Sequence, residues 1–297
     1  MNKRSKDCSV IVGLGEVLWD MLPGGRQLGG APANVAFHAS GLGGRGAVAS
    51  CVGDDDLGRE IRRRLRAAGL DDKAVAISPS QPTGTVTVEL DASGKPTFTI
   101  HRNVAWDFIP FNDVMSELAR RADAVCFGSL AQRSEVSRET IRRFLEATQP
   151  ECLRICDVNL RQNYFSREVL VGSFEAADVV KLNDEELPVV CGLLDLPPEG
   201  DAAMQGLLER FGLHLVILTC GPAGSVLMTP EQTSRRPASK VKVVDSVGAG
   251  DAFTAAVAMG LLLEGDLASV HDRAEQVAGY VCTQPGATPA LPEQFGF

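Results

Sequence analysis

The stretch Val243-Val244-Asp245-Ser246-Val247-Gly248-Ala249-Gly250-Asp251-Ala252-Phe253-Thr254 sets a carboxylate beside a glycine-rich turn at the start of a helix. Glycine lets the backbone come close to an anion, and the N–H groups of a helix's first turn point at whatever negative charge lies in front of them. An anion hole with a base at its rim is what moving a phosphoryl group onto a hydroxyl requires. Over 252–263 the chain is rich in Ala, Met and Leu with no Pro, which predicts a buried helix. Taken alone, the segment also reads as a tight turn with a helix cap.

Far upstream, Leu28-Gly29-Gly30-Ala31-Pro32-Ala33-Asn34-Val35-Ala36 again runs from a glycine-rich turn into a helix. Two such turns suggest two ligand walls in one cleft. Around them recur short β-branched runs bounded by turn residues: Ser9-Val10-Ile11-Val12-Gly13, Ala47-Val48-Ala49-Ser50-Cys51-Val52, Ala124-Val125-Cys126-Phe127, Arg154-Ile155-Cys156-Asp157, Val179-Val180-Lys181-Leu182 and Leu215-Val216-Ile217-Leu218-Thr219. Helical patterns over 56–68, 137–148 and 201–211 alternate with them. That alternation predicts an α/β fold with a mainly parallel, doubly wound sheet and helices on both faces. Such sheets bind ligands at the carboxyl ends of their strands.

One region breaks the rhythm. Thr85-Val86-Thr87-Val88-Glu89-Leu90 and Thr97-Phe98-Thr99-Ile100-His101-Arg102 flank Asp91-Ala92-Ser93-Gly94-Lys95-Pro96, two period-two strands around a turn. This hairpin, with the segment 19–30, predicts a small sheet over the cleft, acting as a lid or as a dimer surface. The chain then reads as a single domain over 1–297 with lid segments at about 19–30 and 84–103 inserted.

With 297 residues and 44% hydrophobic content, the chain can bury a large core. A net charge of -9 argues against nucleic acid or an anionic membrane as partner. The arginines at 59, 62, 63, 64 and 66 alternate with Ile61 and Leu65 as a solvated helix face would. Eight cysteines, at 8, 51, 126, 152, 156, 191, 220 and 282, form no Cys-x-x-Cys pair and sit mostly in apolar runs, as in a reduced cytoplasmic protein. The basic start, Met1-Asn2-Lys3-Arg4-Ser5-Lys6, leads into an apolar stretch too short for an export signal, and no run is long enough to span a membrane.

Beyond these readings, the chain resembles the ribokinase-like (PfkB) family of carbohydrate kinases over nearly its full length. Asp245-Ser246-Val247-Gly248-Ala249-Gly250-Asp251-Ala252-Phe253 is similar to the family's C-terminal signature, with serine where threonine is usual. Gly29-Gly30-Ala31-Pro32-Ala33-Asn34-Val35-Ala36 and Gly15-Glu16-Val17-Leu18-Trp19-Asp20 resemble the N-terminal signature in the form common among bacterial fructokinases. Asp157-Val158-Asn159-Leu160-Arg161, Lys181-Leu182-Asn183-Asp184-Glu185-Glu186 and Thr219-Cys220-Gly221-Pro222-Ala223-Gly224 follow in family order. The resemblance implies a three-layer α/β/α domain with a small β lid.

It also implies a site. Asp251 would take the proton of a sugar's primary hydroxyl as it attacks the γ-phosphate of ATP, and the backbone of Gly248, Ala249 and Gly250 would stabilise the transferred phosphoryl. Asn183 and Glu186 would order Mg²⁺ through waters, or else form a helix cap with a solvated acidic turn. Thr219, Gly221, Gly224 and Gly286 would shape the nucleotide site. Carbonyls around Asp245, Val247, Val281 and Gly286 would hold K⁺. Asp20, Gly29, Gly30 and Asn34 match positions that bind sugar hydroxyls, although Asp20 also reads as a turn cap. Arg102 and Arg161 match arginines that contact acceptor or phosphates. Trp19 and Trp106 read either as core or as a face for a sugar. The resemblance implies fructose as acceptor, with ribose, 2-keto-3-deoxygluconate and nucleosides left open, and a homodimer through the lid.

Competing classes are weaker. Gly13-Leu14-Gly15 lacks the third glycine of a dinucleotide fingerprint because position 18 is Leu, and Gly94-Lys95 is followed by Pro96 rather than by Ser or Thr. The non-enzyme alternative is a sugar-binding regulator on a kinase scaffold, which the intact Gly-Ala-Gly-Asp argues against.

Overall fold

Runs such as Val10-Ile11-Val12 carry no polar residue to show to solvent, so the strands they form must be covered on both faces. The computed structural model describes residues 9–22, 24–90, 96–263 and 265–296. The basic start at 1–6, Cys8 and the hairpin turn at 91–95 lie outside the described residues.

The first half of the chain forms β1 (Val10–Leu14), β2 (Leu18–Leu22), β3 (Gly25–Gly29), α1 (Ala31–Gly41), β4 (Arg45–Gly53), α2 (Asp56–Ala67), β5 (Val75–Ser78), β6 (Thr85–Leu90), β7 (Pro96–Ile100), α3 (Asp113–Arg121), β8 (Ala124–Phe127) and α4 (Glu135–Glu146). The second half forms β9 (Leu153–Asp157), α5 (Arg167–Glu175), β10 (Val179–Asn183), α6 (Glu186–Leu194), α7 (Gly200–Phe211), β11 (Leu215–Thr219), β12 (Ser225–Met228), β13 (Thr233–Arg236), α8 (Ala249–Leu262) and α9 (Leu267–Cys282).

Nine strands make the large sheet in the order β13-β12-β11-β10-β9-β8-β1-β4-β5. Neighbours are parallel from β11 to β5, while β12 and β13 add an antiparallel edge. Period-two alternation splits each strand between two cores. Val10, Val12, Val125, Val180 and Val216 belong to one core. Ile11, Ala124, Ile155, Val179 and Ile217 belong to the other, with Val35 of α1 and Phe253 and Val257 of α8.

The second sheet has the order β3-β2-β6-β7. Its β6–β7 pair is the expected hairpin, antiparallel with Val86 opposite Ile100, and β2–β3 is the expected partner, with Leu18 opposite Gly29. The arginine cluster on α2 pairs with Asp54, Asp56, Glu60 and Asp72, in keeping with a solvated face. Both tryptophans are core: each is 0% exposed, which rules out either ring as an open sugar platform. Trp19 donates its Nε1–H to the Leu57 carbonyl at 3.1 Å, and Arg133 stacks on Trp106 at 4.0 Å. Among the described residues seven cysteines are free, five of them buried, and no helix is long and apolar enough to cross a membrane.

Candidate active site

Strand alternation decides which side chains meet at the carboxyl edge of the large sheet. Ile155 and Val179 face the α8 core, so Asp157 and Lys181, two positions further along β9 and β10, face it too. The register sets these two opposite each other, and the Lys181 ammonium lies 3.0 Å from both carboxylate oxygens. Thr254 of α8 places its Oγ 3.1 Å from Asp157. The pair therefore stands directly beneath the first turn of α8.

That helix begins at Ala249, with Gly248 as its cap at φ 80°. The expected start at 252 is a turn too late, because Gly248 alone carries the left-handed break and the next residues are already helical. Asp251 thus rides on the helix's first turn instead of preceding it. Ala249 N–H reaches the Ser246 carbonyl at 3.3 Å, and the amides of Gly250 and Asp251 have no acceptor within the helix. A side chain at 248 is excluded, since its Cβ would stand 2.1 Å from the Ala287 carbonyl oxygen.

Asp251 keeps partial exposure, and its Oδ2 accepts the Asn34 Nδ2–H at 2.8 Å. Asn34 lies in α1 just after the Gly29-Gly30 turn, so the upstream glycine wall and the carboxylate come together as the two-walled cleft requires. Burial foremost, then the Asp157 charge, pushes the Asp251 carboxyl up to about 7, against the Asn34 bond and the charges of Lys181 and Arg161.

A second carboxyl shares the cleft. Glu16 is 5% exposed, and its Oε2 has no hydrogen-bond partner. Burial raises it to about 7, with Arg161 opposing and Asp251 reinforcing the rise. In the sequence, Glu16, Asp157 and Lys181 stand inside motifs without an assigned role. The available signal was a charge set within or just after an apolar parallel-strand run: Asp157 ends β9, Lys181 sits in β10 and Glu16 follows β1.

On the side of the small sheet, Asp20 sits within β2, paired to β3 and β6, so it is not a turn cap. Burial raises its carboxyl and Arg161 opposes the rise. Gly29 makes room for it: a Cβ there would lie 2.5 Å from Asp20 Oδ2. Gly30 caps α1 at φ 116°. Arg161 acts on Glu16, Asp20 and Asp251 alike. Arg102 stacks on Tyr164 at 5.2 Å, and Gln162 and Tyr164 bond the Phe98 and Ile100 carbonyls of β7 at 2.8 and 3.3 Å. The segment carrying Arg161 is thereby tied to the small sheet.

The opposite end of the site is built from loops. Asn183 Oδ1 accepts the Glu186 N–H at 2.8 Å and Glu186 returns a bond from Asn183 N–H at 2.9 Å, a reciprocal cap that opens α6. Glu186 also accepts Leu160 N–H at 2.8 Å, and burial raises its carboxyl. With both oxygens engaged by amides, this carboxylate fits a cation held through waters better than one bound directly. Thr219 ends β11, with its Oγ 3.5 Å from the Leu182 carbonyl. Gly221, at φ 49°, has open space around it, whereas Gly224 is required by its own chain: a Cβ would lie 2.0 Å from the Arg236 carbonyl oxygen. Room for a nucleotide is therefore not what fixes Gly224.

Asp245 braces two loops, its carboxylate accepting Val247 N–H and Gly286 N–H at 3.0 Å each. Val281 is buried in α9, and its carbonyl accepts Gln284 N–H at 3.0 Å. Among the described residues, no group of three or more His, Cys, Asp or Glu is arranged to hold a metal ion.

The chain is similar to known proteins over most of its length. The family described as pfkB family carbohydrate kinase matches residues 24–294. The chain is 34% identical to the fructokinase of Klebsiella pneumoniae, over 94% of this chain and 95% of that one. An uncharacterized sugar kinase of Pyrococcus horikoshii, solved in complex with ATP, superposes with a TM-score of 0.82 at 30% identity over 94% of both chains. The fructokinase of Vibrio cholerae, solved with fructose, ADP and calcium, gives 0.81 at 26% identity over 96% of both.

Proposed function

Because the chain belongs to the PfkB family of carbohydrate kinases, we propose that this sugar kinase transfers the γ-phosphate of ATP to the 6-hydroxyl of fructose, giving ADP and fructose 6-phosphate. The observation that carries the reading is Asp251, a carboxyl poised at about 7 on a helix turn whose amides have no partner in the helix. In the proposed step the sugar oxygen attacks the γ-phosphorus, its proton passes to Asp251, and the bond to the ADP oxygen breaks. A positioned base contributes about 10² to 10⁴ in rate. The backbone of Gly248, Ala249 and Gly250 stabilises the charge on the transferred group. Asp20, Gly29, Gly30, Asn34, Arg102 and Arg161 hold the acceptor, and Asn183, Thr219, Gly221, Gly224 and Gly286 border the nucleotide. When bound, Mg²⁺ would neutralise phosphate charge; Glu186 would order it through waters, and carbonyls near Asp245, Val247, Val281 and Gly286 would hold K⁺.

Fructose as acceptor is supported by the fructokinase relatives and by the half-buried Asp20, since a site built to bond hydroxyls rejects ligands that leave its polar groups unpaired. The decisive experiment measures ATP consumption across a sugar panel, with Asp251→Asn alongside. A kcat/KM at least tenfold higher for ribose, 2-keto-3-deoxygluconate or a nucleoside replaces fructose as the acceptor. Binding of ATP and sugar without turnover in the parent chain makes it a regulator instead.

Two further results are expected. Gly29→Ala drives a methyl into Asp20 and raises KM for the acceptor about tenfold, the cost of one disturbed polar contact, with KM for ATP unchanged; a rise in both would disconnect Asp20 from the sugar. In the pH profile, kcat/KM falls as pH drops below about 7, because Asp251 must be ionised to accept a proton. Glu16 and Asp251 repel when both are charged, so Glu16→Gln moves that acid limb to lower pH. A limb that stays put or moves upward would uncouple the two.

The small sheet is proposed as a lid that excludes water during transfer and as the surface of a homodimer, which sizing chromatography tests. A cytoplasmic location accords with the free cysteines.

A further inference from the structure

We propose that His38 is a positioning residue for the phosphate end of the site, holding the Ala287 carbonyl against Gly248 and so fixing the loop that leads into the α8 amides. The inference rests on the reading that this end receives ATP. His38 is 0% exposed, and its Nε2 lies 2.9 Å from the Ala287 oxygen. A carbonyl only accepts, so the N–H is on Nε2. Burial lowers the imidazole to about 4, which leaves it neutral at pH 7 and its tautomer settled by that bond.

The remaining nitrogen, Nδ1, is buried without a partner. An apolar side chain would fill the same space with no unsatisfied atom, so what distinguishes histidine here is its bond to Ala287. That bond acts at a tight point. The Ala287 oxygen occupies the place where a Cβ of residue 248 would be, 2.1 Å from it, and Gly248 begins the turn into the anion hole. Asp245 joins the same two loops one position away, through Val247 and Gly286. His38 also lies one helical turn after Asn34 on the same face of α1. The helix thus fixes the base through Asn34 and the phosphate loop through His38.

Calorimetry on the full chain tests this, titrating ATP and, separately, whichever sugar of the panel the parent turns over. His38→Phe keeps the ring volume but removes the donor, and is expected to bind ATP about tenfold more weakly while sugar affinity stays within twofold. His38→Gln retains an N–H and is expected to recover ATP affinity to within threefold of the parent. Unchanged ATP affinity in His38→Phe, an equal loss for both ligands, or a glutamine variant as weak as phenylalanine overturns the inference. Should His38→Phe not fold, His38→Gln decides alone: ATP binding within threefold of the parent supports the inference, and any greater loss overturns it. A parent chain that binds no ATP overturns the kinase reading and this inference together.

Discussion

Asp251→Asn is expected to lower kcat by about 10² to 10⁴ while ATP and sugar still bind, the range a positioned general base contributes. The substitution suits the geometry. The amide that replaces the carboxylate can turn its oxygen to the Asn34 Nδ2–H, now 2.8 Å from Asp251 Oδ2, so the bond between α1 and α8 survives and only the proton acceptor is lost. A second readout follows from linkage. The folded chain holds the Asp251 proton up to about pH 7, whereas an unfolded aspartate releases it near 3.8. Its protonation therefore stabilises the fold fully below about pH 4, and that contribution is lost as pH rises through about 7. The asparagine variant has no such charge to bury beside Asp157, so its melting temperature should gain on the parent's as pH rises from 5 to 8. A variant that retains a tenth of parental kcat would remove Asp251 from the chemistry. A stability difference independent of pH would mean that the carboxyl titrates normally.

Sequence patterns carry the fold where each segment speaks for itself. The parallel strands are readable because a strand covered on both faces is a plain apolar run, as in Leu215-Val216-Ile217-Leu218. β13 is not readable this way: Thr-Ser-Arg-Arg has no apolar pattern, and it becomes a strand through antiparallel pairing with β12. The same division runs through the site. Asp251 and Asn34 stand out because each belongs to a local turn-to-helix pattern. Asp157 and Lys181 acquire meaning only from the register of β9 on β10, which brings together residues that no local window contains. Glu16 becomes a titratable group near 7 only because the surrounding core buries it and Asp251 reinforces the rise against Arg161, all from other elements. Gly224 shows the converse, a motif glycine whose demanding neighbour is the backbone of Arg236 rather than a ligand. Charges within or just after apolar parallel-strand runs, such as Asp157, Lys181 and Glu16, are accordingly the place to look for site residues when only the sequence is known.

Gly248→Ala should strike the site from the other side, lowering kcat/KM for ATP by about 10² to 10³, the worth of a misaligned preorganised donor. The new methyl would meet the Ala287 oxygen at 2.1 Å and its Cα and carbonyl carbon at 2.7 Å. All three are backbone atoms, so no side-chain rotation relieves the clash and one of the two loops must move. The left-handed φ of 80° adds about 1–2 kcal/mol of strain for an L-residue. Movement of either loop turns the first amides of α8 away from the position of the transferred charge. Asp251 is held by Asn34 and its carboxyl is raised by burial first and the Asp157 charge second. The acid limb of the pH profile should therefore keep its midpoint near 7 while the plateau falls, a signature that separates loss of the anion hole from loss of the base. Gly212→Ala, at the end of α7, is the control: its φ of 63° carries similar strain, but nothing lies within 4 Å of the added methyl. It should cost stability of about 1 kcal/mol and leave kcat/KM within threefold. If Gly248→Ala behaves the same way, the glycine-lined turn is not where phosphate is held.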